Sequence, residues 1–241
     1  MSRVSGRKRN ELRDVVIEAN VNRYAEGSCI ISCGNTKVLC TATVEEKLPM
    51  FLKNTGKGGW VTAEYSMLPR ATQNRIQREV STGKPNSRGV EIQRLIGRSL
   101  RSCMNMKLLG ERQIIIDCDV LQADGGTRCA SITGGYVALY LAVQNLLKNK
   151  IIKTNPIESM ISAVSCGIYK GNTILDLEYE EDSNAEVDTN FIINNNGEII
   201  EVQGTAEGKP FSIERLNEMY SLALEGTKEL NKKQKDVLNI K

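Results

Sequence analysis

The chain has 241 residues, of which 40% are apolar and 25% are charged, and its formal net charge is +3. These values are ordinary for a soluble globular protein with one large domain or two small ones, and so small a charge does not by itself indicate a nucleic-acid partner. The chain contains no histidine. Serine-protease-like triads, cysteine–histidine pairs and histidine-rich zinc sites are therefore excluded.

Targeting signals and disulfides are not expected. The N-terminal stretch MSRVSGRKRNELRD is basic and then polar, without the apolar region of a secretory signal. No run approaches the roughly 18 apolar residues that a membrane span requires. The seven cysteines lie mostly in apolar runs and form no CxxC pair. We expect reduced cysteines that act as small apolar side chains in a cytoplasmic protein with no membrane partner.

The first part of the chain predicts strands followed by a helix. Runs rich in β-branched residues between Asp14 and Val44 are interrupted at Gly27 and Gly34, which is typical of a meander or hairpins. WVTAEY predicts another strand, and the basic stretch MLPRATQNRIQREVSTGKPNSRG, with two prolines, predicts a long loop. From about Gly89, apolar residues recur at helical spacing.

The remainder of the chain repeats this order. The predicted strand QIIIDCDVLQ leads into a helix from about Thr127 to Leu147. MISAVSCGIYK, NTILDLEY, AEVDTNFII and GEIIEVQG predict strands, and an amphipathic helix begins near Ser212 and Glu214. Two blocks of strands, each followed by helices, predict an α+β fold with mainly antiparallel sheets.

The stretch QADGGTRCAS predicts an anion site between a strand and a helix. Gly125 and Gly126 permit a tight turn and close backbone approach, and Thr127 is a candidate helix cap. A helix N-terminus carries partial positive charge, so Arg128 is locally unfavourable there unless an anion lies between them. We predict a phosphate held by the helix start and Arg128, with Arg88, near another helix start, as the second arm. A purely structural turn is the alternative.

A basic stretch surrounds the helix predicted from Gly89. On this helix, Arg94, Arg98 and Arg101 share the face opposite the apolar stripe. Such a face suits RNA phosphates, and it equally suits solvent or a neighbouring subunit. The arginines of the preceding loop could likewise hold RNA or lie in an oligomer interface. The basic residues of the stretch are Arg70, Arg75, Arg78, Lys84, Arg88, Arg94, Arg98 and Arg101.

The stretch DLEYEEDSNAEVD contains acidic residues and no basic ones. In an extended strand, four of its carboxylates would share one face, where they would repel one another unless water or a cation relieved the repulsion. Such an oxygen-rich group suits magnesium or manganese, and an exposed acidic edge strand is the alternative. The four are Asp176, Glu178, Glu180 and Asp182.

Five motifs, in order and with family-like spacing, resemble the ribonuclease PH family of bacterial phosphorolytic exoribonucleases. They are FLKNTGKGGWVTAEYSMLPR, EIQRLIGRSLR, DCDVLQADGGTR, DLEYEEDSNAEVD and EVQGTAEGKPF, and the resemblance extends across essentially the whole chain. It implies a single domain over residues 1–241 with the two-part β–α fold of the polynucleotide phosphorylase core and the exosome ring, built of mixed, mainly antiparallel sheets and packed helices. It also implies a homohexameric ring assembled as a trimer of dimers.

The resemblance further implies an activity. The family trims the 3′ ends of transfer RNA precursors and processes ribosomal RNA. Inorganic phosphate is the co-substrate and nucleoside diphosphates are released, so the nucleotidyl transfer is reversible. A non-catalytic RNA-binding ring subunit of an exosome-like assembly and a hydrolytic exonuclease are the alternatives.

Site residues follow from the same resemblance. Phosphate would be bound by Arg88, Gly126, Thr127 and Arg128. Catalysis and Mg²⁺ or Mn²⁺ binding would fall to Asp182 and Asp188, and Asp188 is also a candidate proton donor to the leaving 3′ oxygen. RNA binding or ring formation would involve Arg70, Arg75 and Arg78. The chain departs from the family's usual Gly-Arg-Thr at Ser87-Arg88-Gly89.

Overall fold

The computed structural model describes residues 3, 5–78, 81, 83 and 86–240. Lys84, part of the predicted basic stretch, lies outside the described residues. The elements in chain order are β1 (Val15–Ala19), β2 (Gly27–Cys33), β3 (Thr36–Glu45), a 3₁₀ turn (Met50–Leu52), β4 (Trp60–Met67), α1 (Ser87–Ser102), α2 (Met106–Leu109), β5 (Gln113–Gln122), α3 (Thr127–Lys148), β6 (Ile161–Tyr169), β7 (Asn172–Leu175), α4 (Tyr179–Asp182), β8 (Val187–Asn194), β9 (Ile199–Ala206) and α5 (Ile213–Leu238).

The strands form two sheets. The first has the order β1-β2-β3-β5-β4, in which β4 and β5 are parallel and the other neighbours are antiparallel. The second has the order β7-β6-β8-β9 and is antiparallel throughout. Because side chains alternate between the faces of a strand, β5 buries every second residue from Ile114 to Val120. The predicted α+β fold with mainly antiparallel sheets is confirmed.

Helix α3 packs against both sheets. Its Gly134 carbonyl accepts a hydrogen bond from Cys29 Sγ of β2 at 3.2 Å, and its Thr133 Oγ1 accepts one from Ala163 N of β6 at 3.1 Å. A Cβ on Gly134 would lie 2.8 Å from Ile31 Cγ2, so glycine permits this close packing. By length and composition α3 could cross a membrane, contrary to the sequence expectation, but 72% of its apolar window is buried inside the protein. It is a core helix.

The two blocks share their interior. The larger core contains residues of the first sheet and α3 together with Ile161, Ala163 and Ile192 of the second sheet. On α5, Gln234 Nε2 donates to the carbonyls of Thr133 and Ile161, each at 3.0 Å. These bonds connect the last helix to α3 and to β6 of the second sheet. All seven cysteines are free, and all but Cys33 are buried, which confirms their predicted state.

The predicted acidic strand is wrong. Strand β7 ends at Leu175, and Asp176 follows in the left-handed backbone region with φ 53°. This conformation is unfavourable for an L-residue in a strand and turns the chain. The next residues form the short helix α4. Consequently Asp176, Glu178, Glu180 and Asp182 do not share one face of a strand.

The helix starts agree with the sequence to within two residues. Helix α1 begins at Ser87 rather than Gly89, because the Asn86 side chain caps it by accepting a hydrogen bond from Arg88 N at 3.0 Å. Helix α5 begins at Ile213, directly after Ser212, as predicted.

Candidate active site

A turn of two glycines joins β5 to α3. Gly125 and Gly126 have φ of +75° and +66°, a region that L side chains rarely adopt. A Cβ on Gly125 would lie 2.5 Å from the carbonyl oxygen of Leu177, so the turn also packs tightly against the chain that follows β7. The predicted tight turn and close backbone approach are confirmed. The turn brings the start of α3 next to the acidic stretch.

Thr127 is the first residue of α3 and not its cap. The capping position belongs to Gly126, and no side chain caps this helix. The prediction of a Thr127 cap is therefore wrong, because the second glycine extends the turn by one residue. The Thr127 hydroxyl instead lies 2.9 Å from the Tyr65 hydroxyl. An uncapped helix start retains N–H groups that can bind an anion.

Arg88 and Arg128 stand at equivalent places in two helices. Each is the second residue of its helix, α1 for Arg88 and α3 for Arg128. Arg128 is half-buried, and its Nη1 lies 2.9 Å from Gln203 Oε1 and 3.9 Å from Glu91 Oε1. The Arg88 guanidinium is exposed and makes no hydrogen bond or ion pair within the described chain. The first turns of α1 and α3 thus each carry a cation, which the helix dipole disfavours at that position.

The charges of Arg88 and Arg128 both act on the hydroxyl of Tyr65. Burial raises the pKa of the Tyr65 hydroxyl, whereas its hydrogen bond with Thr127 and the charges of Arg88 and Arg128 act to lower it. Tyr65 is 6% exposed and lies on the inner face of β4. Its hydroxyl therefore connects the buried side of β4 to the start of α3.

Asp182 and Asp188 complete the arrangement. Asp182 ends α4, Asp188 lies in β8, and both are half-buried. Burial and, after it, the charge of Asp182 raise the pKa of Asp188 to about 6, against the opposing charges of Arg128 and Arg88. Burial likewise raises the pKa of Asp182 against the opposing charges of Arg88 and Arg128. The structure therefore brings the two carboxylates and the two guanidinium groups together.

The loop arginines belong to the segment between β4 and α1, outside both helix starts. Arg70, Arg75 and Arg78 are exposed, and none of their guanidinium groups is paired with another described residue. The base of their loop is nevertheless fixed beside the glycine turn, because Ala71 O accepts a hydrogen bond from Ala123 N at 2.8 Å. Arg70 thus begins a basic loop at the edge of the site.

The basic face of α1 is divided. Arg98 forms a two-bond ion pair with Glu201 of β9, at 2.7 and 3.1 Å. The Arg101 guanidinium lies 4.1 Å from the centre of the Trp60 ring and donates to Val61 O. These two arginines bind protein groups, which fits the structural alternative, whereas Arg94 remains exposed.

Sequence reasoning missed the partners that stabilise the acidic stretch. Asp176 is paired with Arg13 and Arg7, and Glu181 with Arg3. The repulsion expected among the carboxylates is therefore relieved largely by arginines of the N-terminal segment. It also missed Tyr65, although the alternation in WVTAEYSM would have placed its side chain on the same face as Val61 and Ala63.

Comparison with known proteins agrees with this architecture. Residues 11–144 match domain 1, and residues 159–226 match domain 2, of the 3′ exoribonuclease family. Ribonuclease PH of Methylobacterium radiotolerans is 56% identical over 236 residues, which cover 98% of this chain and 99% of the relative.

Solved structures show the same fold at low sequence identity. The rice (Oryza sativa) protein Rrp46 superposes with a TM-score of 0.79 at 18% identity and covers 98% of this chain and 100% of its own. An Archaeoglobus fulgidus exosome with RNA bound to the active site superposes with a TM-score of 0.79 at 19% identity, over 96% of this chain and 92% of its own.

The chain belongs to the 3′ exoribonuclease family, with the two-part ribonuclease PH fold. Its nearly full-length similarity to a ribonuclease PH identifies the activity as phosphate-dependent 3′-to-5′ exoribonucleolysis.

Proposed function

We propose that this enzyme trims the 3′ ends of transfer RNA precursors, with phosphate bound between Arg88 and Arg128 beside Asp182 and Asp188. The observation that carries the proposal is the convergence of two cations and two carboxylates at the uncapped start of α3. The RNA in the Archaeoglobus fulgidus exosome, which has the same fold, is bound at the active site. This supports RNA as the substrate here.

The first task of the site is to bring two anions together. Two unit charges about 4 Å apart repel by about 4 kcal/mol at an effective dielectric constant of about 20. Arg88, Arg128, the Thr127 hydroxyl and the backbone at Gly126 would hold the phosphate and offset this repulsion. Arginine suits the task because its planar guanidinium group can donate two parallel hydrogen bonds to phosphate oxygens.

The bond changes need no histidine. A phosphate oxygen attacks the phosphorus of the last phosphodiester, and the bond from that phosphorus to the 3′ oxygen of the preceding nucleotide breaks. The departing 3′ oxygen takes up a proton, which we assign to Asp188, and the last nucleotide leaves as a nucleoside diphosphate. Because phosphate is already an anion near neutral pH, it requires no strong general base. The product retains a phosphoanhydride, so the reaction is expected to run in reverse when diphosphates are abundant.

Asp182 and Asp188 fit a divalent metal ion. Magnesium is commonly bound through one or two carboxylates, with water and substrate phosphates as the other ligands. Asp188 Oδ1 is buried without a hydrogen-bond partner among the described residues, and the nearby Asp182 charge disfavours its ionisation. A Mg²⁺ or Mn²⁺ ion would give this oxygen a partner and offset the repulsion between the two carboxylates. When bound, it would supply positive charge to the anionic transition state. In the described part of the chain, no group of three or more His, Cys, Asp or Glu side chains is arranged to hold a metal ion, so no all-protein cage is proposed.

We further propose a cytoplasmic homohexamer assembled as a trimer of dimers, with no membrane partner. The exposed Arg70, Arg75 and Arg78 are assigned to RNA contact or the ring interface. Free, buried cysteines are consistent with a reducing compartment.

The test uses purified protein, magnesium and a transfer RNA with a short 3′ extension, with and without inorganic phosphate. Nucleoside diphosphates that appear only with phosphate, and that an Arg128→Ala variant does not release, are the expected result. Release of monophosphates without phosphate would identify a hydrolase. RNA binding without release in either condition would identify a non-catalytic ring subunit.

A further inference from the structure

Two buried ion pairs connect the N-terminal segment to the acidic stretch. Arg3 donates from Nε and Nη2 to the two oxygens of Glu181, at 2.7 and 2.6 Å, and the two side chains are 1% and 0% exposed. Arg13 donates from Nε and Nη2 to the two oxygens of Asp176, at 3.0 and 2.7 Å. Buried ion pairs are weak sources of stability because desolvation offsets much of their attraction. Their retention beside a catalytic centre therefore suggests another role.

Arg13 joins the acidic stretch to the glycine turn. Besides its bonds to Asp176, its guanidinium donates from Nη1 to Asp124 O and, at 3.5 Å, from Nη2 to Gly125 O. A Cβ on Gly126 would lie 3.0 Å from Arg13 Nη2, so the guanidinium packs directly beneath the phosphate-binding turn. One side chain thus fixes the turn relative to Asp176.

Arg3 fixes the position of α4. Its Nη1 and Nη2 donate to the carbonyls of Leu175 and Asp176, each at 2.8 Å, in addition to the bonds with Glu181. Glu181 in turn accepts a hydrogen bond from Glu178 N at 3.2 Å, which closes the capping box of this short helix. Asp182 is the next residue. Its carboxylate therefore depends on Arg3 for its position.

We propose that Arg3 and Arg13 are positioning residues, which together set the separation between the phosphate-binding turn and Asp182. This inference rests on the proposed function. Neither side chain is placed to touch substrate, because each is buried against protein carboxylates and carbonyls. Arg13 orients the turn that binds phosphate, and Arg3 orients the helix that ends in Asp182. We call these contacts of Arg3 and Arg13 the brace, because they connect the two sheets at the active site.

Conservative variants distinguish a positioning role of Arg3 and Arg13 from a contribution to the stability of the fold. Arg3→Lys and Arg13→Lys keep the charge but lose the two-bond fork. The matched control is Arg9→Ala, because Arg9 belongs to the same segment, is 58% exposed, and lies 3.9 Å from Glu218. For each protein, thermal unfolding is measured together with kcat and the KM for inorganic phosphate. Misplacement of a reacting group by 1 Å can reduce rates by about a hundredfold.

We expect Arg13→Lys to raise the KM for phosphate by about tenfold or more with a smaller change in kcat, and Arg3→Lys to lower kcat by about tenfold or more with a smaller change in KM. Arg9→Ala should match the wild type. Folded Lys variants with wild-type kcat and KM would overturn the proposal. If the single variants do not fold, the neutral pair Arg13→Gln with Asp176→Asn removes both charges of this ion pair, and Arg7, which also contacts Asp176, keeps Glu181 as a partner at 3.6 Å. A folded neutral pair should show the raised KM, and a wild-type KM there would overturn the role of Arg13.

Failure of the brace and failure of the proposed function are distinguishable. If the wild type releases no diphosphate in the presence of phosphate, the proposed function fails. The brace is then tested by calorimetric titration of inorganic phosphate into the wild type and Arg13→Lys. Weaker phosphate binding in the variant supports the positioning role of Arg13, and equal binding contradicts it.

Discussion

Arg88 and Arg128 are the second residues of α1 and α3, and their charges converge on the same two carboxylates. Each is preceded by a hydroxyl residue, Ser87 or Thr127. A cation in the first turn of a helix is unfavourable, and two such cations at one place are more so. A bound dianion such as phosphate removes both penalties, so the relationship between these residues defines the site that we propose.

Removal of either arginine of the clamp should impair turnover. Arg88→Ala and Arg128→Ala are each expected to lower kcat/KM by about 10²–10³, the usual effect of losing one preorganised donor to a charged transition state. The measurement is diphosphate release at varied phosphate concentrations. Lys148→Ala, at the exposed far end of α3, serves as the control and should retain activity. A clamp variant with wild-type kcat/KM would exclude that arginine from phosphate binding.

Loss of the Tyr65 hydroxyl should have a smaller effect. Tyr65→Phe keeps the buried ring and removes only the hydrogen bond with Thr127 Oγ1. Such a bond contributes about 0.5–1.5 kcal/mol, so we expect a change of about 2- to 10-fold in the KM for phosphate. Tyr220→Phe is the matched control, because the Tyr220 hydroxyl on α5 donates to Gly197 O, between β8 and β9, at 2.8 Å. Equal KM values in the two variants would show that Tyr65 does not orient Thr127 for phosphate.

The carboxylates should determine the metal requirement. Asp182→Asn and Asp188→Asn are each expected to raise the magnesium concentration needed for half-maximal activity and to lower activity at saturation, because each removes an anionic oxygen ligand. Magnesium titration of initial rates provides the measurement. Glu180→Gln, an exposed neighbour in α4, should leave the titration unchanged. An unchanged magnesium curve for both aspartate variants would contradict their assignment as ligands.

The loop arginines are expected to bind RNA rather than hold subunits together. Arg75→Ala should weaken RNA binding and reduce the slope of log affinity against log salt by about 0.7, which corresponds to one phosphate contact on a single strand. The mass of the Arg75→Ala protein in solution should equal that of the wild type. Arg23→Ala is the control. Arg23 is exposed and lies just before the first residue of β2, at the end of this strand that is away from the site. A lower mass in solution for Arg75→Ala would assign the loop to the ring interface.

We propose that residues 1–241 unfold as one domain despite their two sheets. The shared core and the bonds from Gln234 to Thr133 and Ile161 connect the two blocks. Trp60, the only tryptophan, lies in the first sheet and reports on that block alone. Its fluorescence and the far-ultraviolet circular dichroism of the whole chain should therefore give coincident thermal transitions. Separate transitions would indicate two independent units.

Much of the fold could be predicted from the sequence, because it is encoded in local patterns. The alternation in QIIIDCDVLQ gave the bounds of β5, and the glycines of QADGGTR predicted the turn before α3. The acidic stretch was misjudged as a strand, because a single left-handed residue, Asp176, redirects the chain. Nothing in the local pattern of DLEYEED marks that residue, whose carboxylate is fixed by Arg13.

The candidate site was predictable only in part for the same physical reason. Arg128 could be recognised by its conflict with its own helix, which is a local property. The buried pairs of Arg3 and Arg13 depend on residues far along the chain, and a basic N-terminal stretch resembles many solvated tails. The family resemblance supplied Asp182 and Asp188, which composition alone left among seven acidic residues.

The brace also has a consequence for biosynthesis. Its two ion pairs join residues that are 178 and 163 positions apart. Because the ribosome synthesises the N-terminal segment first, Arg3 and Arg13 have no carboxylate partners until β7 and α4 have been synthesised. A nascent chain therefore cannot complete the site while the second sheet is still being made. Catalytic competence is a late event in the maturation of each polypeptide.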